Sequence, residues 1–146
     1  VTHDALPSVP ADEVQIAQVF QNLIGNALKF RSRATPRIHV GVSENESQFE
    51  IAGRDNGIGI EPQYFERIFM LFQRLHDKGE YPGTGIGLAI VRKVIERHGG
   101  QIRVESTPGD GSAFIVHVSP DTYCPNGPVA GCAGGARAAC GIIRAN

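Results

Sequence analysis

The chain is predicted to be an α/β protein: a two-layer sandwich in which a mixed, mostly antiparallel sheet carries helices on one face. Two observations lead there. Two pairs of strand-like segments are each joined by a short polar turn, at residues 37–42 with 48–55 and at 101–106 with 112–118. Two segments with helical periodicity stand apart from one another and from the hairpins. Strands joined by tight turns pair antiparallel, and helices with a single apolar face need a sheet to cover it.

The first helix is expected from about Pro10 to Phe30. Pro10 suits a first helical turn, and Asp12 and Glu13 place negative charge where a helix start favours it. Ile16, Val19, Phe20, Leu23, Ala27 and Leu28 recur at three- and four-residue intervals and form one broad apolar face. Gln18, Asn22, Asn26 and Lys29 follow the same spacing but are polar, so they stack as a stripe. An amide stripe ending in a lysine offers carbonyl oxygens to a hard cation and an ammonium to a phosphate. A solvated helix face explains the same stripe.

Residues 48–55 alternate as a strand, with Phe49, Ile51 and Gly53 on one side. Asp55 is in phase with them and should turn inward, where an unpaired carboxylate is costly. Asn56, Gly57 and Gly59 then make a turn open to a flat ligand. An inward acceptor beside open backbone suits an exocyclic amino group such as that of adenine. An Asx-type turn alone accounts equally for the Asp-Asn-Gly order.

A third segment, from Gly83 through Thr84, Gly85, Ile86, Gly87 and Leu88, opens the second helix. Ala89, Ile90, Val91, Val94 and Ile95 have helical spacing, and Gly99 and Gly100 stop it. Glycines at a helix start expose backbone amides toward an anion. No Walker-type lysine loop is present, and no strand leads directly into Gly83, so neither a P-loop nor a dinucleotide fingerprint is at hand.

In this order the segments resemble the ATP-binding catalytic domain of sensor histidine kinases, within the GHKL superfamily that includes topoisomerase and heat-shock-chaperone ATPases. Residues 18–30 resemble the N box, 55–60 the G1 box, 65–72 the F box and 83–88 the G2 box. The similarity runs over residues 6–120, and residues 72–89 are especially similar to phytochrome-like kinases. The resemblance implies a Bergerat-type fold, ATP and Mg2+ as ligands, and protein histidine kinase activity. It implies that Asp55 accepts from the adenine amino group and that Asn26, with Asn22, holds the metal. Lys29 would contact phosphate, Phe30 and Ile60 would lie by the adenine, and Gly57 and Gly59 would shape its pocket. Residues Gly83, Thr84, Gly85, Ile86, Gly87 and Leu88 would embrace the phosphates, with Arg74 a further phosphate-contact candidate. Phe65, Ile68, Phe69, Leu71 and Phe72 are expected to anchor in the core. The family often has a hydroxyl residue at the position of Ala113; either Ser112 substitutes for it or the base is held slightly less tightly.

The resemblance also implies partners: a dimerisation domain bearing the phospho-accepting histidine and, through it, a response regulator. His3 followed by Asp4 has only a superficial likeness to that histidine's motif, because the leucine and arginine usual there are missing. His39, His76, His98 and His117 are read as ordinary surface or core residues. The chain is therefore expected to hold the catalytic half without the acceptor half. Related ATPases place a water-activating glutamate where this chain has Asn22, which lacks the basicity for that task. Phosphoryl transfer to protein is favoured over hydrolysis, and a non-catalytic binding module remains the third reading.

Composition fits a cytoplasmic module. The 146 residues suffice for one domain with a core. The net charge of −1 gives no argument for nucleic acid or an anionic membrane surface. Neither a signal peptide nor a membrane-length apolar run is recognised. Two parts are expected: the ATP-binding domain over residues 1–120, its leading edge trimmed, and a Gly/Ala-rich extension over 121–146. Cys124, Cys132 and Cys140 lie in the latter with no histidine nearby, a poor zinc set.

Overall fold

A computed structural model describes residues 1–7, 9, 11–44, 48–72 and 84–119. Helix α1 spans Glu13–Lys29. It starts three residues later than the sequence suggested because Asp12 caps it: Asp12 Oδ1 accepts from the Gln15 backbone N–H at 3.0 Å. That bond is the main reason the Asp12 carboxyl is held below its ordinary value. Pro10 itself lies outside the described residues. Helix α2 spans Gly87–Arg97 and ends at His98, with Gly99 in the left-handed region.

Five strands form one sheet: β1 (Thr2–His3), β2 (Ile38–Glu44), β3 (Phe49–Asp55), β4 (Gln101–Thr107) and β5 (Gly111–Val118). Their order is β1-β2-β3-β5-β4, antiparallel throughout except for the parallel β1–β2 pair. The sheet is mixed and mostly antiparallel, as predicted. β1 was not anticipated, since two residues carry no periodicity. It is held by register with His39 and Val40 and by Asp4, whose Oδ2 accepts from Val42 N–H at 3.1 Å.

The register sorts the sheet into rungs. On the helix-facing side Phe49 pairs Val118, Ile51 pairs Val116 and Gly53 pairs Phe114. Ile102 and Val104 of β4 continue the last two rungs. Val116 and Val118 pack with Val19 of α1 and with Val91, Val94 and Ile95 of α2. Phe114 and Val104 pack with Ile68 and Phe69, whose ring meets Phe114 edge-on at 6.4 Å. The opposite face carries a small cluster of Ala52, Ala113 and Ile115. Glu50, Arg103 and His117 lie beside it as polar neighbours.

The two helices are joined end to end. His98 is buried, its Nδ1 donates to Val94 O at 2.8 Å, and its Nε2 accepts from the Asp12 N–H at 3.1 Å. The carbonyl partner fixes the proton on Nδ1, which leaves Nε2 as the acceptor. The C-terminus of α2 therefore holds the N-terminus of α1.

Two expectations about packing are corrected. Ile68 and Phe69 are buried, but Leu71 is 59% and Phe72 is 72% exposed, so the anchor ends at Phe69. The chain leaves the core there, and Phe72 adopts φ 60° as its N–H donates to Gly85 O at 3.1 Å. Leu28 is also exposed, because it lies past the buried Ala27 on the side of α1 away from the sheet. It borders an open groove with Gly25, Lys29 and Arg31.

Candidate functional site

One rung remains at the end of the helix-facing side, and it is polar. Asp55 of β3 pairs Ser112 of β5, and Ser112 pairs Ser106 of β4. The period-two alternation that turns Ile51 and Gly53 toward the helices carries half-buried Asp55 to the same side, and that of Phe114 and Val116 carries Ser112 with it. Asp55 Oδ1 accepts from Gly57 N–H at 2.8 Å and from Ser112 N–H at 3.3 Å. The first bond closes an Asx turn, so the turn and the inward carboxylate coexist. Burial pushes the Asp55 carboxyl above its ordinary value, and those two N–H groups pull the other way.

Around the carboxylate the backbone approaches itself too closely for side chains. A Cβ on Gly57 would lie 2.5 Å from Phe30 O. One on Gly59 would lie 2.2 Å from Thr107 O, and one on Gly111 would lie 2.0 Å from Asp55 O. Gly59 and Gly111 also have φ of 76° and 105°, which only glycine adopts without strain. Ile58 N–H donates to Phe30 O at 2.9 Å and Gly109 N–H to Ile58 O at 2.8 Å. The segment after β3 is thus tied to the end of α1 on one side and to the β4–β5 turn on the other. Asn56 adds bonds to Arg37 N–H and Thr35 O.

The polar stripe of α1 faces the start of α2. Asn22 Nδ2 donates back to Gln18 O at 2.8 Å, and its Oδ1 would lie 2.6 Å from a Cβ on Gly87. Asn26 is half-buried one turn on, and Lys29 Nζ lies 4.5 Å from the centroid of the Phe30 ring. Ile60 and Leu88 pack against the cluster of Ile68, Phe69, Val104 and Phe114. Thr84, Gly85 and Ile86 lead into α2, with Gly85 bonded to Phe72. All four predicted segments therefore meet in space. Arg74, Gly83, His76 and the three cysteines lie outside the described residues.

The hydroxyl position needs correction. Ala113 points to the other face of the sheet, with Ala52 and Ile115. Ser112 stands opposite Asp55, so the hydroxyl beside the carboxylate is present in this chain. Gly111 and Ser106 belong to the site and were not singled out from sequence. The signal was available for Ser106, which is in phase with Ile102 and Val104 yet polar.

Fold and pocket together define the class: a nucleotide-binding α/β sandwich, distinct from P-loop and dinucleotide domains. The chain belongs to the family described as "Histidine kinase-, DNA gyrase B-, and HSP90-like ATPase", which matches residues 11–122. Cyanobacterial phytochrome A of Nostoc sp. is 55% identical over 118 residues, covering 81% of this chain and 15% of that protein. The signal transduction histidine-protein kinase BarA of Escherichia coli is 34% identical over 95% of this chain and 16% of that protein. Among solved structures, the mycobacterial sensor histidine kinase MprB superposes with a TM-score of 0.71 at 28% identity, covering 81% of this chain and 79% of that one. Full-length ShkA in complex with AMPPNP gives 0.68 at 28% identity, covering 84% and 25%. The fold is that of histidine kinase catalytic domains. The chain spans about 15% of the length of the first curated relatives it matches.

Proposed function

We propose that this chain is the ATP-binding catalytic domain of a two-component sensor histidine kinase. It binds Mg-ATP and directs the γ-phosphoryl to a histidine on a separate dimerisation domain, for relay to a response regulator. The observation that carries the reading is the Asp55 carboxylate. Its Oδ1 is occupied by two backbone donors, and the close backbone packing at Gly57, Gly59 and Gly111 fixes the carboxylate at the end of the sheet. Asp55 Oδ2 would accept from the adenine amino group. Phosphates would lie between Lys29 and the amides at the start of α2, with Arg74 and Gly83 as further contacts.

The residues fit a magnesium ion carried by the nucleotide. Among the described residues no group of three or more His, Cys, Asp or Glu side chains could hold a metal alone. The carbonyls of Asn26 and Asn22 are the donors of the site, with phosphate oxygens completing the shell. Phosphoryl transfer depends mainly on positioning and charge stabilisation, so such a domain works on an acceptor delivered to it.

A hydrolytic ATPase is the second reading, and Asn22 disfavours it. An amide bonded back to Gln18 O cannot take a proton from water. The Gly/Ala-rich extension is proposed to lie outside the family domain, whose match runs to residue 122. A cytoplasmic location follows from the proposed activity, and among the described residues no helix is long and apolar enough to cross a membrane.

The test uses labelled ATP. The chain alone should show almost no hydrolysis and no labelling of His3, His39, His76, His98 or His117. A cognate dimerisation domain added in trans should acquire acid-labile label, weakly, because separated domains lose their effective concentration. Robust hydrolysis, or stoichiometric labelling of the chain's own histidine, would overturn the proposal.

A further inference from the structure

The polar rung commits its protons in a way that bears on base choice, given the proposed binding of ATP. Ser106 Oγ makes three contacts. It donates to Gly111 O at 2.6 Å, accepts from Ile60 N–H at 2.8 Å, and lies 3.1 Å from Ser112 Oγ. A hydroxyl has one proton and two lone pairs. A carbonyl oxygen only accepts, so the Ser106 proton is committed to Gly111. One lone pair takes the Ile60 N–H. The other is left for Ser112, so in that pair Ser112 must be the donor.

The consequence falls on Ser112. Its hydroxyl proton is held toward β4, and its backbone N–H is spent on Asp55 Oδ1. What the rung offers a ligand is then the remaining carboxylate oxygen of Asp55 and the lone pairs of Ser112. Both are acceptors, and they stand side by side at one register position.

We propose that Ser106 is a specificity-determining positioning residue: by holding the Ser112 hydroxyl proton out of the pocket, it makes the rung acceptor-only and favours a 6-aminopurine over a 6-oxopurine. An amino group donates to such a rung. An oxo group meets only lone pairs and a carboxylate, and is left unpaired in a partly buried site, which is where discrimination by hydrogen bonding is strongest. Removing the Ser106 acceptor frees the Ser112 hydroxyl to rotate and donate to the oxo group.

The experiment compares the whole chain with its Ser106→Ala variant, titrated by calorimetry with the magnesium complexes of the β,γ-imido analogues of ATP and ITP. Wild type should prefer the ATP analogue. In Ser106→Ala the ratio of the two dissociation constants should fall on the order of tenfold, chiefly through tighter binding of the inosine analogue. Ser106→Thr, which keeps the hydroxyl, should restore the ratio. In a Ser112→Ala background, Ser106→Ala should leave the ratio where it was, because the relay has lost its carrier. Should Ser106→Ala fail to fold, Ser106→Cys keeps the bulk but accepts poorly, and should lower the ratio in the same sense. A merely structural serine would weaken both nucleotides together. An unchanged ratio with retained ATP-analogue binding therefore overturns the role of Ser106 alone, and so does a ratio change that persists without Ser112. Binding of neither analogue by wild type overturns the ATP reading as well.

Discussion

At the Asp55 end of the candidate site the chain approaches itself backbone to backbone, whereas at the α2 end backbone meets side chain. A Cβ on Gly111 or Gly59 would run into a carbonyl oxygen at 2.0 or 2.2 Å, and neither carbonyl can move without dragging a strand. A Cβ on Gly87 would meet the Asn22 carboxamide at 2.6 Å, which a change of rotamer relieves. The first wall is part of the sheet and forms when the sheet forms. The second is assembled by a helix and an amide, joined to the preceding segment through Phe72 N–H and Gly85 O. Tightly packed glycines thus answer to different demands, backbone against backbone in the sheet at one end and a helix start against an amide side chain at the other.

The largest test of that contrast is Gly111→Ala. Overlap with Asp55 O adds to a φ of 105°, so the variant should lose about 2–4 kcal/mol of stability or fail to fold. Denaturant unfolding measures this, and a loss below about 0.5 kcal/mol would mean that the wall is not fixed by the sheet.

Asp55→Asn comes next. It places a donor where an acceptor is needed, and misplacing one partly buried polar group costs roughly 1–3 kcal/mol, or about ten- to hundredfold in ATP-analogue affinity. Unchanged affinity in a folded variant removes the adenine contact from Asp55.

Gly87→Ala should behave unlike Gly111→Ala. Stability should change by less than about 1 kcal/mol, since alanine favours the helix while the Asn22 side chain is displaced. Affinity for the Mg-ATP analogue should drop by several-fold, about 1 kcal/mol. If stability falls as far as in Gly111→Ala, the two walls are alike and the contrast is gone.

The smallest effect concerns pH. The acceptor role needs the Asp55 carboxylate, and burial raises its pKa. ATP-analogue affinity should therefore weaken as pH falls into the range just above the ordinary aspartate value, and this slope should vanish in Asp55→Asn. The linked effect on folding has the opposite sense. In that window the native state binds more protons than the unfolded chain, so stability contributed by Asp55 is present below the ordinary value and is lost as pH rises through the raised one. A paired acid titration of wild type and Asp55→Asn measures both, and identical affinity profiles would break the assignment.

Much of this was legible in the sequence because one physical rule, alternation against a buried face, governs both core and site. The phase that marks Ile51 and Gly53 as inward also marks Asp55, and the resemblance of the four segments supplied the rest of the outline. What was not legible depends on contacts distant along the chain. Two residues cannot display a period, so β1 went unseen, and the Asp12–His98 bond joins positions 86 apart. Leu71 and Phe72 look like core because they are apolar, yet the chain has already turned outward at Phe72. Ser106 was legible only as a polar residue in phase with Ile102 and Val104, and its three hydrogen-bond partners lie on β5 and on the segment after β3.

The glycine walls bear on how such a pocket can change through mutation. Every amino-acid replacement at Gly57, Gly59 or Gly111 adds a Cβ, so every single substitution there collides with backbone. In the proposed site, variation in base preference would therefore be channelled to positions whose side chains can differ without shifting a wall, namely Asp55, Ser112 and Ser106. A laboratory lineage selected for a new nucleotide would be expected to accumulate its first changes on that rung, leaving the glycines untouched.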